Sequence, residues 1–193
     1  MGQSAFPGMR SSTVKKLVSE NVDLNYISKT KNNSWQLTAL EVAIRINDAD
    51  TVNLLLATKK IAPLGKAFMV ACGQDNEQIV ELLIGYGANP NEELPNGYSA
   101  SIMAINFGSI KILEALLKNG VNPNHKKSGG MTLLMFAAYN CHLEKAKLLL
   151  KNGAKKEITD SKGQTALDYA KKIYISEDVN PEAKKDLIKL LAL

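Results

Sequence analysis

The chain has 193 residues, 45% hydrophobic and 22% charged, with a formal charge of +5 carried almost wholly by lysine, since Arg10 and Arg45 are the only arginines. That balance describes a packed protein rather than a disordered tail. Its apolar runs are too short to span a bilayer, its two cysteines cannot build a disulfide framework, and scattered lysines with few aromatics argue against a nucleic-acid reader.

The first residues, Met1-Gly2-Gln3-Ser4-Ala5-Phe6-Pro7, lack the basic start and apolar stretch of a secretory signal. Phe6 also stands where a myristoylation motif wants Ser or Thr. A cytoplasmic location is therefore expected, with Cys72 and Cys141 as free thiols. Residues 11 to 25 hold Val14-Lys15-Lys16-Leu17-Val18 and then Asn21-Val22-Asp23-Leu24-Asn25, a helix end and its exit.

Helix starts then follow one another: Thr38-Ala39-Leu40-Glu41-Val42-Ala43, the weaker Lys66-Ala67-Phe68-Met69-Val70-Ala71, Ser99-Ala100-Ser101-Ile102-Met103-Ala104, Thr132-Leu133-Leu134-Met135-Phe136-Ala137 and Thr165-Ala166-Leu167-Asp168-Tyr169-Ala170. A leading Thr or Ser is an N-cap signal, because its hydroxyl satisfies an otherwise orphan backbone N–H. The Ala five positions on lets two helices approach closely. A second apolar pattern follows each start, as at 113, 116 and 117 or 146, 149 and 150, the spacing of one buried helical face. Gly87, Gly120 and Gly153 end these second helices at intervals of 33 and suit a left-handed residue. Asn96-Gly97 and Gly129-Gly130 supply positive φ in the loop to the next start. Asn180-Pro181-Glu182 restarts a last helix through Leu187, Leu190 and Leu191, with residues 171 to 179 as a longer connection.

A Thr-x-Leu-x-x-Ala opening, a second helix with a Leu pair and a Gly-Ala-x-x-Asn exit, repeated every 33 residues, resemble the ankyrin repeat over about residues 38 to 170. The resemblance implies one all-α solenoid of helix-turn-helix repeats joined by short extended loops, spanning 1–193. Its segments are an N-terminal half repeat and extended loop over 1–37, repeats over 38–65, 66–98, 99–131 and 132–164, and a capping repeat over 165–193. The first loop carries about five extra residues, and Lys59 replaces the first glycine. Irregular terminal repeats are expected, since they must close the core.

No residue set reads as an active site or cofactor site. Cys141-His142 is the one Cys-His neighbour pair, but no carboxylate is placed to orient the imidazole. The resemblance makes this position Gly-His, with the His capping and packing the second helix. His125 has no Cys or second His at metal spacing, and the glycines punctuate turns instead of cradling phosphate. The function implied is that of a monomeric, non-enzymatic adaptor or inhibitor of a protein partner. An immunity or antitoxin protein that blocks a cognate toxin, and a structural module of a larger effector, are the alternatives.

In proteins similar to this one, partners meet the loop tips and inner helices of a concave groove. The positions that match are Trp35, Leu37 and Arg45, then Asn96, Tyr98 and Asn106, then Met131 and Tyr139, then Lys162, Gln164 and Lys172. Trp35, Tyr98, Met131 and Tyr139 would form an apolar stripe, the composition that carries binding energy at interface centres.

Overall fold

Short helices in this chain are set by their ends. Thr38, Ser99, Thr132 and Thr165 each accept a hydrogen bond from the backbone N–H three residues on, as their sequence positions predict. Glu41 and Asp168 return the bond to the cap residue's own amide, at 3.0 and 2.8 Å. The computed structural model describes residues 36–61, 63–95, 97–172 and 180–192, together with 16, 20, 28 and 29. These fall into two compact units, Met1–Asn89 and Pro90–Leu193.

In the first unit, β1 (Ser28–Lys29) pairs antiparallel with β2 (Gln36–Leu37), with Ser28 opposite Leu37. This small ribbon occupies the long first loop. Four helices follow: α1 (Ala39–Arg45), α2 (Ala49–Ala57), α3 (Gly65–Gly73) and α4 (Glu77–Gly85). They pack as two antiparallel pairs, α1 with α2 and α3 with α4, and the pairs stack through α1 on α3 and α2 on α4. Leu40, Ile44, Val52, Leu55, Phe68, Ile79 and Leu83 form the core. The start predicted at Lys66 lies two residues early, with Leu64 at the cap position and no side-chain cap bond. Lys66 has no hydroxyl to cap with and makes an ion pair instead, its Nζ lying 3.0 Å from the buried Glu41 carboxylate. Lys59 takes the left-handed conformation (φ 54°) that glycine holds elsewhere.

The second unit holds α5 (Ala100–Asn106), α6 (Ile110–Lys118), α7 (Leu133–Tyr139), α8 (Leu143–Lys151), α9 (Ala166–Lys172) and α10 (Pro181–Ala192). The helix α9 includes Lys171 and Lys172, so the predicted connection begins later than expected; residues 173–179 lie outside the described ones. Inner helices α5, α7 and α9 stack on one another, as do outer helices α6, α8 and α10. Ala104, Ala137 and Ala170 have no exposed surface, and that absence of bulk lets the helices close up. Asn180 caps α10, its Oδ1 accepting from the Glu182 amide at 2.9 Å.

The helices α4, α6 and α8 end in the same way. Gly120 adopts φ 86°, its amide donates to Leu117, and the next amide, of buried Val121, reaches back to the Leu116 carbonyl at 3.1 Å. That is a Schellman turn, and Gly87 and Gly153 repeat it. The exit asparagines then stitch one repeat to the next. Asn124 donates through Nδ2 to the Gly153 carbonyl at 2.8 Å and accepts from the Lys155 amide at 2.8 Å.

Candidate functional site

The loops before α5, α7 and α9 are small hairpins in one register. Leu94 N–H donates to Tyr98, Lys127 to Met131 and Asp160 to Gln164, each bond 33 residues from the last, with Gly97, Gly130 and Gly163 at positive φ. The hairpins differ in what fills their first position. Asp160 closes its own loop, its Oδ1 accepting from the Lys162 and Gln164 amides at 2.8 Å each. Lys127 in the same place is buried, with its Nζ 3.5 Å from Glu93 of the preceding loop. Successive loops are in contact, since Ser161 donates through both its amide and its hydroxyl to the Gly129 carbonyl.

Beside these hairpins the inner helices of the second unit enclose a cleft of about 550 Å³, whose lining includes Phe107, Met131, Phe136, Tyr139, His142 and Tyr169. Tyr139 and Tyr169 meet edge to face, with centroids 6.1 Å apart and planes at 82°. This is a preferred aromatic geometry. The Tyr169 hydroxyl donates to Asp160 Oδ2 at 2.6 Å, which ties the ring to the loop. That bond pushes the phenol pKa up to about 12 and, with the Gln164 amide, holds the Asp160 carboxyl below its usual range. Asn140 donates through Nδ2 to Asn106 Oδ1 at 2.8 Å, joining the ends of α5 and α7 on the cleft wall.

The wall is steadied from behind. Lys145, on α8, donates from its ammonium to the carbonyls of Ala104, Ile105 and Gly108 at 3.0, 2.6 and 2.8 Å. The Ala104 and Ile105 carbonyls end α5, where helical geometry provides no partner, and Gly108 lies in the turn that follows. The clamp brackets Asn106 and Phe107. His142 lies at the N-cap of α8 but makes no side-chain cap bond, contrary to the expected capping role. It lines the cleft instead, and burial followed by the Lys145 charge lowers its pKa, which keeps the imidazole neutral at physiological pH. Cys141 adopts φ 57° where the resemblance expects glycine, and burial raises its thiol pKa.

The predicted positions separate. Met131, Tyr139 and Asn106 come together in the cleft, and Tyr139 is 61% exposed. Tyr98 is exposed on the preceding hairpin but does not line this cleft. Lys162 and Lys172 are exposed and Gln164 is half-buried, all three on the loop and helix that carry Tyr169. Arg45 is half-buried at the end of α1, in the first unit. Leu37 is a correction: at 5% exposure it belongs to the core, because β2 packs it against α1. Trp35 and Asn96 lie outside the described residues.

Reading by loop and groove position missed Phe107, Phe136, Asn140, His142 and Tyr169. A signal for two of them was present. Phe136 and Tyr169 follow Met103 at intervals of 33, so a large side chain recurs at one register position. Phe107 could have been noticed as a 65% exposed ring only once the turn after α5 was known.

The family description "Ankyrin repeats (3 copies)" matches residues 48–128 and again 101–172, together well over half of the chain. The chain belongs to the ankyrin-repeat family, whose helical repeats are in general protein–protein interaction modules and typically not enzymes. No curated protein shows a significant similarity to it.

Proposed function

We propose that this chain is a non-enzymatic adaptor or inhibitor that takes an extended segment of a protein partner into the cleft of its second unit. The observation that supports this reading is the set of rings brought together from three consecutive repeats: Phe107 and Tyr139, 65% and 61% exposed, with Tyr169 behind them. Large apolar rings open to water gain from being covered, and Tyr139 is already oriented by its edge-to-face contact with Tyr169. A cleft of about 550 Å³ has room for roughly two or three side chains of such a segment. Tyr98, Lys162, Gln164 and Lys172 would meet the same partner outside it.

The test is capture of partners from native lysate on the immobilised chain, quantified by mass spectrometry against variants. Phe107→Ala and Tyr139→Ala should each weaken the captured interaction by about 30-fold or more, the effect of losing a central anchor of ~2–3 kcal/mol. Lys118→Ala and Lys151→Ala, on the outer helices, should leave it unchanged. If the partner is retained equally by the Phe107 and Tyr139 variants, the cleft is not where it binds.

A further inference from the structure

The cleft carries a charge preference as well as an apolar one. Among the described residues, two carboxylates on the α9 side are already engaged in the fold. Asp160 holds Tyr169 Oη and two loop amides, and Asp168 accepts from the Thr165 amide and hydroxyl at 2.8 and 2.7 Å. Three ammonium groups remain exposed on the same loop and helix, those of Lys162, Lys171 and Lys172. Lys172 lies three residues beyond Tyr169, on the same helical face, at the repeat position that Tyr139 occupies on α7. His142, inside the cleft, stays neutral. The aromatic floor is thus bordered at Lys172 by a cation, while Lys162 sits near Asp160 and Lys171 and Lys172 near Asp168, carboxylates already hydrogen-bonded within the fold.

We propose, resting on the reading above, that the segment bound in this cleft is acidic: an apolar or aromatic side chain flanked by Asp or Glu. The apolar side chain enters between Phe107, Tyr139 and Tyr169, and its acidic neighbours meet Lys172 and Lys162. Charge disfavours a second copy of this chain as the occupant. Residues 90–193 carry 15 lysines, no arginine and 11 acids, a formal +4 that would repel its like. It also favours carboxylates over a nucleic-acid backbone. Tracking phosphates requires a continuous basic path, commonly with arginine forks, and here the three lysines are confined to one loop and helix, outside the cleft lining.

The experiment uses random twelve-residue peptides displayed on phage, panned against the full chain at low salt. Enriched peptides should place Asp or Glu within two positions of Leu, Phe, Tyr or Trp. A synthetic peptide of the enriched sequence should bind Lys162→Glu/Lys172→Glu at least tenfold more weakly. Lys162→Gln/Lys172→Gln, which introduces no new charge beside Asp160 or Asp168, should show a smaller loss at an unchanged melting temperature. Affinity for the wild type should fall as NaCl is raised.

Peptides that lose binding in Tyr139→Ala but show no excess of acid, or no response to the lysine variants, overturn the acidic preference while leaving the cleft reading standing. Peptides indifferent to Tyr139→Ala overturn the cleft reading itself, and failure to enrich any peptide overturns the acidic preference. A fluorescent poly(dT) oligonucleotide that binds more tightly than the peptides, and is lost with the same lysine substitutions, would make nucleic acid the occupant.

Discussion

Replacing Lys145 with Met would remove one ammonium and leave its apolar stem in place. The Ala104 and Ile105 carbonyls at the end of α5, and that of Gly108 in the turn after it, then lose their donor, at distances now between 2.6 and 3.0 Å. Hydrogen bonds to a charged group contribute about 1.5–3 kcal/mol each, but water reaches this half-buried position and replaces part of the loss, so about 2–3 kcal/mol is expected for the set. Equilibrium urea unfolding reads this directly. With a slope of about 2 kcal/mol per molar, the midpoint should fall by about 1–1.5 M at an unchanged slope. Lys147→Met on the same helix is the control. Its ammonium pairs with the exposed Glu144, at 2.7 Å, and such surface pairs contribute less than about 1 kcal/mol. Because the clamp brackets Phe107, the folded Lys145 variant should also bind partner less well. A midpoint that does not move, or moves equally in the Lys147 variant, would refute the helix-end clamp.

Gly130→Ala should destabilise by about 2–3 kcal/mol, since φ 79° is strained for alanine and its Cβ would sit 2.8 Å from the Ser161 amide nitrogen. Gly163→Ala has a similar φ but meets nothing within 4 Å, so calorimetry should find only about 1 kcal/mol there. In an ultraviolet titration one tyrosine should ionise near pH 12, and Tyr169→Phe should abolish that step. Since this folded pKa is raised from about 10, its stabilisation is complete below pH 10 and fades between there and 12. Asp160 and Asp168 act in the opposite sense. Their folded pKa values are lowered, so their contribution is present above pH 3.8 and is lost as pH falls below it, an acid sensitivity that Asp160→Asn should reduce. Of the two thiols, Cys141 should react with iodoacetamide in the native protein, while Cys72, buried and pushed up to about 12, should react only on unfolding.

The repeat was legible because its landmarks are local. A threonine caps the helix it begins, an alanine makes room within its own turn, and Gly120 takes the left-handed conformation required by its own helix end. Interactions within a few residues leave a spacing in the sequence, and 33-residue steps repeated it. Where a landmark was replaced, as at Lys66, the register could still be followed but the ion pair could not be foreseen, because Glu41 lies 25 positions away. Leu37 shows the same limit from the other direction. Its place in the repeat suggested a partner contact, and only pairing with Ser28 and packing on α1 turned it inward.

The cleft belongs to tertiary structure for a physical reason. Its parts sit at different offsets within successive repeats, so no single periodic position names them. Phe107 follows α5, Tyr139 ends α7 and Tyr169 lies within α9, and stacking of these three helices brings them to one place. The groups that hold the cleft are equally distant in the chain. Lys145 reaches carbonyls 37 to 41 residues earlier, and Asn140 reaches Asn106 34 residues back. Sequence by itself determined the repeat and the kind of molecule it builds. Packing decided which exposed rings share a face and which carboxylates were engaged in holding them there, because both depend on distances that close only when one repeat lies on the next.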